Sequence, residues 1–488
     1  MGAAILTLLW YVVSSIVVWN RLRHIPGPFF ASFSYFWAFW CVSTGRSHNI
    51  IQTEQQKYGK IMRIGPDAIA ISDPETLLRI NGARSLYTRG PWYGSLKLDW
   101  RGDNLITELD TVKHDKRKSK LVSAFSGRGL VSLETQVDEW ITALIRSIRG
   151  KLAKGEATMD IGMLLHYFQI DLITQAGLGI PWNDLADEKD HFGYLEMSNV
   201  VIPFLQAIAW LPAARTLYLS TWFMSLFGPK TTDKAGLGLF LGILEKEVES
   251  RFSENFKTGE DRRDLLGEWI KHGLSAPECQ FDLALQIPAG SETSVTTIRG
   301  ILLYLLCSPV VYQKVKQEIK DGIAAGSISN PVKNEEAKSL KYLQAVVQEG
   351  MRLVPPLNMG FGKRVPDSGD TICGKFVPAG TDVYPNYPSL MHSRDIFGAD
   401  AEVFRPERFL SGPNVARMEK TVDMLFGNGR FMCLGKALAL IELNKIFVQL
   451  LRNFDFQIAN PEKPWIRVGY TSFLIGGFQV QVSEDVME

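Results

Sequence analysis

Apolar residues recur at intervals of three and four along most of this chain, which is the spacing that one buried face of a helix requires. Strand-like runs are few and short, and long helical segments separate them. The chain is therefore predicted to be mostly α-helical with small sheets, and not an alternating strand–helix protein. The helical pattern covers residues 131–153, 159–178, 237–252, 284–306, 310–324, 340–352 and 434–453, and the strand-like runs lie at 61–71, 370–377, 382–384 and 478–482.

The amino-terminal end has a different pattern. Residues 1–20 contain no charged side chain, and residues 3–19 are almost wholly apolar. This length is near the lower limit of about 17 residues for a helix that spans a membrane. Arg21, Arg23 and His24 follow the apolar run, whereas a secretory signal peptide carries its charge before the run.

These features predict three regions in the chain. Residues 1–19 are interpreted as a retained single-pass anchor, with a cleaved signal peptide as the alternative. Residues 20–28 form a basic hinge that Pro26-Gly27-Pro28 stiffens. Residues 29–488 form one large domain, because no linker, repeat or low-complexity tract divides them. The positive-inside rule places that domain in the cytoplasm.

Residues 201–227 form a second apolar stretch, which Pro203, Pro212 and Arg215 interrupt. Neither uninterrupted piece is long enough to span a membrane. Two interpretations remain open at this point: a buried helix pair, or an aromatic surface that dips into the lipid interface.

The composition excludes several classes of protein. The 53 lysines and arginines nearly balance the 52 aspartates and glutamates, so the charge does not indicate a nucleic-acid-binding protein. The five cysteines are odd in number and include no Cys-x-x-Cys pair, which argues against a disulfide framework and against a zinc cluster. A reducing compartment fits this cysteine usage best.

One cysteine stands in surroundings that suit chemistry. Residues 426–435 read FGNGRFMCLG, so Cys433 follows a glycine-rich turn and directly precedes a predicted helix. The unpaired N–H groups and the dipole at a helix start favour a thiolate and are predicted to lower the cysteine pKa. Gly427 and Gly429 would let a bulky planar group approach the backbone. The pattern predicts a metal ligand or a nucleophile.

Two other interpretations of this segment stay open on the local pattern. A free cysteine is commonly a small buried apolar residue. The glycines could instead cradle a phosphate at the helix start. The dinucleotide-binding fingerprint fails here, however, because its third glycine position is Met432.

Two charged motifs lie upstream. Glu349 and Arg352, in EGMR, are three residues apart and share one helix face. Arg408, in FRPERF at residues 404–409, could reach the Glu349 carboxylate and complete a buried charge network. Alone, Glu-x-x-Arg is a weak signal, because exposed helices carry such pairs routinely, and FRPERF alone favours a solvated charged loop.

A third motif places polar residues inside an apolar helix. Residues 289–293 read AGSET within the predicted helix 284–306. Gly290 would leave a groove on the helix surface, and Glu292 and Thr293 could hold a water or move protons beside it. A polar helix face turned to solvent is the alternative. Pro288, just before the motif, should sharpen a local kink.

Taken in order, AGSET, EGMR, FRPERF and FGNGRFMCLG, preceded by the apolar anchor and the Pro-Gly-Pro hinge, resemble the motifs of a microsomal cytochrome P450. The resemblance covers essentially the whole chain and implies the cytochrome P450 fold. It implies that Cys433 is the axial thiolate ligand of the iron of haem b, whose contacts would include Phe426. Thr293 and Glu292 are then implied to be catalytic residues that supply protons. Glu349, Arg352 and Arg408 are implied to form a structural triad.

The residues that would bind the haem propionates depart from the family pattern. Family members usually carry arginine or histidine two residues before the cysteine, but here that position is Phe431 and the arginine is Arg430. The resemblance also implies propionate contacts from His114 and Lys118, where lysine stands in place of a family arginine, and from Arg364.

The resemblance further implies partners. The chain contains no flavin or nicotinamide module, so electrons would come from a separate NADPH–cytochrome P450 reductase or from cytochrome b5. The catalytic domain would face the cytoplasm from the endoplasmic reticulum membrane. A basic face could dock the reductase, with an ordinary solvated helix face as the alternative. The residues proposed for that face are Lys113, Lys116, Arg117, Lys120, Lys436 and Lys445.

The segments that would contact substrate are apolar and aromatic, which predicts a lipophilic substrate oxidised with O2. These segments are residues 92–105, 204–222, 357–361 and 472–475, together with the AGSET groove. The stretch at 58–75 and the sequence CLGKALALIE resemble fungal secondary-metabolism members, which suggests a terpenoid, polyketide or alkaloid scaffold.

Two other functional classes remain. A haem-thiolate isomerase or dehydratase would need no reductase, and retention of Glu292 and Thr293 argues against it. A non-catalytic membrane haem protein would bind lipophilic ligands and show spectral shifts without forming an oxygenated product. A requirement of turnover for NADPH and reductase separates these alternatives from a monooxygenase.

Overall fold

The computed structural model describes residues 13–14, 16–125, 133–253 and 264–487. Most of these residues are helical, as the apolar periodicity predicted. Numbered along the chain after the helical residues 16–22, the helices are α1 (Phe36–Ser43), α2 (Ser47–Tyr58), α3 (Pro74–Ile80), α4 (Thr111–Phe125), α5 (Leu133–Ala153), α6 (Ile161–Leu178), α7 (Asp184–Asp187), α8 (Tyr194–Ile208), α9 (Pro212–Tyr218), α10 (Thr221–Phe227), α11 (Gly236–Phe252), α12 (Leu265–Lys271), α13 (Ala276–Leu306), α14 (Pro309–Ala324), α15 (Asn334–Ser339), α16 (Lys341–Leu353), α17 (Tyr387–Met391), α18 (Arg394–Phe397), α19 (Val415–Asp423) and α20 (Lys436–Asn453).

The strands are short and form small sheets. They are β1 (Ile61–Gly65), β2 (Ala68–Ile71), β3 (Thr88–Arg89), β4 (Thr158–Asp160), β5 (Lys363–Arg364), β6 (Asp370–Ile372), β7 (Lys375–Val377), β8 (Asp382–Pro385), β9 (Phe454–Ile458), β10 (Ile466–Gly469), β11 (Phe473–Gly476) and β12 (Gln479–Glu484).

Strand order in the largest sheet is β1-β2-β8-β5-β3. Strands β2 and β8 run parallel in it, and the other pairs are antiparallel. The remaining strands form the sheets β4-β12-β9, β10-β11 and β6-β7. The register of β3 and β5 sets Arg89 opposite Lys363 and Thr88 opposite Arg364, which positions charged side chains of the functional site.

Helix α13 runs through the middle of the main core and packs against α6, α11 and α16. Its length exceeds the predicted helix 284–306 because it starts at Ala276. Ser275 and Glu278 form a reciprocal capping box at that end, with a proline in the first turn. The helix continues through Pro288 without ending. This long buried helix is the element that carries the AGSET motif into the interior.

Other predicted elements differ from the observed ones at their ends. The predicted helix 159–178 begins at Ile161, where the Asp160 side chain accepts a hydrogen bond from the Met163 N–H. The run 61–71 is a β1–β2 hairpin, and 370–377 is a β6–β7 hairpin. Within FRPERF, Pro406–Phe409 forms a 3₁₀ helix. Residues 131–132 of the predicted helix 131–153 lie outside the described residues.

The apolar stretch 201–227 is partly buried and partly exposed, so it matches neither the buried helix pair nor the aromatic surface completely. It folds as the end of α8 followed by α9 and α10. Trp210 is buried and packs against Tyr384, whereas Phe204, Trp222 and Phe227 are exposed. The stretch is therefore not a fully buried helix pair, because several of its largest side chains remain at the surface.

The anchor proposed for residues 1–19 falls largely outside the described residues, which begin with 13–14 and 16 onward. Within the described part of the chain, no single helix has the length and apolar character needed to cross a membrane. Helices α13 and α14 meet that criterion only as a pair, and they are bent by 106° where they join.

Candidate functional site

A cavity of about 440 Å³ lies between helix α13 and the segment that contains Cys433. Phe426, Gly427 and Cys433 line one wall. Ala289 and Thr293 of α13, among others, line the opposite wall. The fold thus brings together two motifs that are about 140 residues apart in the chain.

Local turns present Cys433 to this cavity. Gly427 and Gly429 both have positive φ, at 73° and 60°, which permits two tight 3₁₀ turns at Met424–Phe426 and Gly429–Phe431. A Cβ at Gly429 would lie 2.5 Å from the Asn81 carbonyl oxygen. The Cys433 N–H donates to the Phe426 carbonyl oxygen at 2.7 Å, which pins the cysteine just before α20. The residue itself stays exposed toward the cavity.

The protein alone does not favour a thiolate at this position. Burial raises the pKa of the Cys433 thiol. The N–H groups of Gly435 and Lys436 and the charge of Lys118 lower this pKa, but burial outweighs them. The prediction that the helix start lowers the pKa of Cys433 is therefore wrong for the net shift. The helix start does lower this pKa, but burial raises it by more. A metal ion deprotonates a coordinating thiol outright, so the thiolate depends on a bound metal.

On the facing wall, Gly290 and Thr293 of α13 line the cavity where the sequence predicted a groove. The Thr293 hydroxyl donates to the Ala289 carbonyl oxygen at 2.7 Å. A Cβ at Gly290 would lie 2.7 Å from Ile173 Cδ1, so Ile173 of α6 occupies the space that Gly290 leaves. The Thr293 hydroxyl is therefore the feature of this predicted groove that can act in chemistry.

Glu292 bonds to groups outside the groove. Its Oε1 accepts from His166 Nε2 at 3.2 Å and from the Tyr194 hydroxyl at 3.3 Å. Burial raises the pKa of the Glu292 carboxyl, but the charges of His166 and Arg299 together with hydrogen bonds from His166 and Ser198 outweigh burial and leave that pKa lowered. Glu292 also lines the cavity, so this carboxylate connects the groove to a buried polar cluster.

A second buried acid lines the same cavity and was missed from the sequence. Glu442 of α20 accepts a hydrogen bond from Gln169 Nε2 at 3.1 Å. Burial raises the pKa of this carboxyl to about 7. The available signal was an acid in the middle of the apolar segment 434–453, the same kind of signal that pointed to Glu292.

Cations gather around the ring of Phe431 at another side of the cavity. Lys363 Nζ lies 3.4 Å from the ring centroid, and Arg89 Cζ lies 4.6 Å from it. The His114 ring is 4.9 Å away between centroids, and Lys118 also lines the cavity. The Phe431 ring therefore lies at the centre of a cluster of basic side chains. Phe431 stands at the position where family members usually carry arginine or histidine.

Two cations of this cluster have no charged partner among the described residues, whereas His114 Nδ1 lies 2.9 Å from an Asp115 carboxylate oxygen. Neither Arg89 nor Lys363 forms an ion pair there. Lys363 Nζ and Arg89 Nε have no hydrogen-bond partner, although Arg89 Nη1 donates to two backbone carbonyl oxygens. Burial, followed by the charges of Arg89, Arg430 and Lys118, holds the pKa of Lys363 well below its usual range. Buried cations without partners are costly, so the cluster is suited to an anionic ligand.

Two predicted propionate residues lie elsewhere. Arg364 binds Asp382 through Nε at 3.0 Å and is not part of the cavity wall. Successive residues of a strand point to opposite faces, so the neighbour Lys363 faces the cavity instead. Arg430 pairs with Asp115 at 3.1 Å, while the Arg430 carbonyl oxygen accepts from Lys118 Nζ at 2.7 Å.

The predicted charge network is present and fully buried. Glu349 accepts two hydrogen bonds from Arg352, at 2.7 and 2.8 Å, and one from Arg408 Nε at 3.0 Å. Arg352 Nη1 also donates to the carbonyl oxygens of Met391 and Ala401, both at 2.7 Å. The network therefore ties α16 to the chain segments that precede the Cys433 loop.

The basic face proposed for docking is smaller than predicted. Lys445 is 0% exposed and pairs with Glu134 and Asp138, so it is not available at the surface. Arg117 pairs with buried Asp282 at 2.6 Å. Lys113 and Lys116 are exposed. Because the other cations have internal partners, these two lysines are the main remaining contributors.

The residues around the cavity fit an anionic metal cofactor that a cysteine thiolate would hold. The Cys433 thiol lies at one wall, and Gly290 and Thr293 lie at the facing wall. The cations Arg89 and Lys363, which have no ion-pair partner among the described residues, line the cavity near Phe431 and could bind an anionic group. No group of at least three histidine, cysteine or acidic side chains suited to a metal ion occurs among the described residues. A haem with two propionates matches this set of donors and charges.

Comparisons with known proteins agree with that fit. A family model described as Cytochrome P450 matches residues 26–477. The chain is 39% identical over 471 residues to "Cytochrome P450 monooxygenase aba1" of Botryotinia fuckeliana (strain B05.10), which covers 95% of this chain and 92% of that protein. It is 36% identical over 468 residues to "Cytochrome P450 monooxygenase abl1" of Leptosphaeria maculans, covering 93% and 82%. For "Cytochrome P450 monooxygenase ABA1" of Pyricularia oryzae (strain 70-15) the identity is 35% over 476 residues, covering 95% and 92%.

Proposed function

This chain belongs to the cytochrome P450 family and is a haem-thiolate monooxygenase, and from that premise we propose that it inserts one oxygen atom from O2 into a lipophilic secondary metabolite. The observation that carries the proposal is the position of Cys433 opposite the Thr293 groove across one largely apolar cavity. Electrons would come from a separate reductase, with the domain held at a membrane surface.

The apolar lining supports the substrate class. Leu96, Ile106, Ile202 and Leu205 are among the residues that line the cavity, which favours binding of a lipophilic molecule. The exposed aromatic residues of α10, Trp222 and Phe227, would suit contact with a lipid interface from which such a substrate could enter.

When bound, haem held by a cysteine thiolate would supply the chemistry that activates O2. The residues of the chain supply the rest. Cys433 would hold the iron, and the Phe426 carbonyl oxygen would hold the Cys433 backbone in place. The Thr293 hydroxyl would hold a proton at the groove, and Glu292 would replenish it from the cluster with His166. The apolar walls would exclude bulk water from the reacting carbon.

The Thr293→Ala variant tests this function directly. With NADPH, reductase and ¹⁸O2, the wild type should form a product that carries one labelled oxygen. The variant should lose about tenfold or more of product per NADPH and release peroxide instead, because the groove loses its proton donor. Thr297→Ala is the matched control, since the Thr297 hydroxyl makes the same kind of bond one turn later, to the Thr293 carbonyl oxygen at 3.0 Å. Tight coupling in Thr293→Ala would contradict the proton role, and turnover without NADPH would contradict the monooxygenase assignment.

We further propose that Arg89, Lys363, His114 and Lys118 hold the propionates, in place of Arg364 and Arg430. Lys363→Met should speed haem loss to apomyoglobin by about tenfold, or roughly 1.4 kcal/mol of binding free energy. The same change should raise the melting temperature of the apoprotein, because it removes a buried cation without a partner.

Arg364→Met on the same strand is the control for this measurement. It should leave the rate of haem loss within about twofold of wild type and lower apoprotein stability, because it breaks the pair with Asp382. Faster haem loss from Arg364→Met than from Lys363→Met would overturn the assignment.

A further inference from the structure

Glu442 of α20 is a buried acid without an ion-pair partner among the described residues. It is 1% exposed and forms part of the wall of the cavity. Its hydrogen-bond partners are neutral, namely the Gln169 amide at 3.1 Å and the Ser294 hydroxyl. Burial raises the pKa of this carboxyl to about 7, and the two hydrogen bonds lower it by less. The protonated and the ionised form are therefore both populated near neutral pH.

The charged groups on the elements packed against α20 bond to other residues. Those elements are α5, α13, α14, α15, α16 and β9. The pairs are Glu134 and Asp138 of α5 with Lys445, Glu349 with Arg352 in α16, Lys316 of α14 with Asp455 of β9, Glu335 with Lys338 in α15, Arg299 of α13 with the Gly162 carbonyl oxygen, and Glu292 of α13 with His166. None of these charges contributes to the pKa of Glu442. Its proton is thus available without breaking an ion pair.

Gln169 of α6 can bond to Glu442 in either protonation state. Its Nε2 donates to Glu442 Oε2 at 3.1 Å, which suits the carboxylate. Its Oε1 is buried and has no hydrogen-bond partner among the described residues. Rotation of the amide by half a turn exchanges the two atoms, so that Oε1 can accept from the protonated acid. A site that accommodates both forms suits a group that releases and regains a proton.

Two acids with opposite pKa shifts lie beside the AGSET stretch of α13. The pKa of Glu292 is lowered, and that of Glu442 is raised. Both acids bond to α6, through His166 and Gln169 respectively, which are three residues apart and share one helix face. Acids whose environments move their pKa values apart are suited to different roles in proton transfer. Glu292 is then the ionised partner, and Glu442 is the donor.

Ser294 connects Glu442 to the cavity. It directly follows Thr293, is 8% exposed and lines the cavity, whereas Glu442 has almost no accessible surface. The reaction proposed for this cavity consumes two electrons and two protons for each O2, and one oxygen atom leaves as water. Thr293 with Glu292 forms one pair of hydroxyl and acid, and Ser294 with Glu442 forms a second. The second pair can supply a proton that the first does not.

We propose that Glu442 and Ser294 form a second route for protons into the cavity, beside the pair of Glu292 and Thr293. This inference rests on the proposed function, since it assigns the source of a proton for the same reaction. In each turnover the Glu442 O–H bond breaks, and one proton passes through the Ser294 hydroxyl to the oxygen atom that leaves as water. Gln169 bonds to the carboxylate, which takes up one proton from solvent before the next turnover. NADPH supplies the two electrons through the reductase.

The first measurement is the protonation state of Glu442 in ferric holoprotein, without electrons or substrate. Infrared difference spectra between about pH 5 and about pH 9 should contain the carbonyl band of a buried protonated acid, which the wild type loses as pH rises. Glu442→Gln should lack this band. Ser294→Ala should keep it, because that variant removes the route and leaves the acid in place.

The second measurement is urea unfolding at the same two pH values. The folded pKa of Glu442 lies above that of an unfolded glutamate, so the wild type loses stability as pH rises through about 7, and Glu442→Gln does not. The unfolding constant of wild type relative to this variant should rise on the order of 50-fold between the two values. Glu292→Gln is the matched control with the opposite sign. Because the pKa of Glu292 is lowered, the wild type should be more stable than that variant at the higher pH.

The third measurement is product formed per NADPH as a function of pH. In the wild type this ratio should fall as pH rises above about 7, because the donor ionises. Glu442→Gln should form about fivefold less product per NADPH at neutral pH, release peroxide and lack this pH dependence. Glu442→Asp keeps an acid and should keep the pH dependence. Ser294→Ala should lose product to the same extent, which covers the case in which Glu442→Gln folds poorly.

Two results would overturn the second route. One is a Glu442 carboxyl that is already ionised at about pH 5, with no band that Glu442→Gln removes. The other is a product yield per NADPH in Ser294→Ala that equals the wild-type yield. Both results would leave the function proposed for the cavity intact. Absence of any oxygenated product from the wild type would instead refute that function, and the second route with it.

Discussion

Replacing Cys433 by alanine is expected to abolish the long-wavelength Soret band that the carbon monoxide complex of reduced haem-thiolate proteins shows. The expected loss of product formation is at least about a thousandfold, or roughly 4 kcal/mol of activation free energy. The physical reason is that no other cysteine among the described residues lines the cavity to supply a replacement thiolate. Cys41 and Cys279 are buried elsewhere, and Cys433 is the cysteine that lines the cavity.

Two variants make this result specific. Cys433→His can still bind iron, but a neutral imidazole pushes less electron density than a thiolate, so it should retain haem while losing the band and most activity. Cys307→Ala removes another exposed cysteine and should change neither quantity. A thiolate-type band that survives in Cys433→Ala would refute the ligand assignment, and with it the account of the cavity.

Replacing Glu349 by glutamine is expected to be among the most destabilising single changes in the protein. Glu349 is 0% exposed and neutralises two guanidinium groups, those of Arg352 and Arg408, which are also buried. The neutral amide would leave Arg352 without a carboxylate, and Arg408 would keep only the partly exposed Asp400 at 3.2 Å. Breaking a buried pair of this kind costs roughly 3–5 kcal/mol, which is a large share of the 5–15 kcal/mol that usually holds a domain together.

The measurement is urea unfolding of the purified holoprotein, followed by circular dichroism and by the Soret band. Arg405→Met is the matched control, since the Arg405 side chain pairs with partly exposed Asp400 at 2.5 Å in the same segment as Arg408. That exposed pair should be worth about 1 kcal/mol or less. Equal unfolding free energies for Glu349→Gln and wild type would show that the network does not stabilise the fold.

Periodicity located the long helices because their buried faces repeat regularly, as for α16 and α20. It placed the start of α13 eight residues too late, at 284 in place of Ala276. The first turns of that helix carry few apolar residues at helical spacing. Its start is set instead by the capping box that Ser275 and Glu278 form. Short strands such as β3 and β5 escaped prediction because each has only two residues, too few to show alternation.

The proposed propionate residues could not be chosen from the sequence either. Lys363 and Arg364 are neighbours in sequence and both are basic, so composition cannot separate them. The pairing of β5 with β3 and β8 decides between them, since it sets Lys363 beside Arg89 and Arg364 beside Asp382. A shift of one residue in that register would exchange their roles.

The sequence by itself determined the class of the site: a cysteine before a helix, a threonine in an apolar helix, and a charge network in a fixed order. These signals are local, because capping, helix spacing and turn chemistry depend on neighbouring residues. Tertiary structure decided which cations face the cofactor cavity and that Lys445 is buried. Those facts depend on burial and on strand register between distant segments, and burial is a property of the packed chain and not of any one segment.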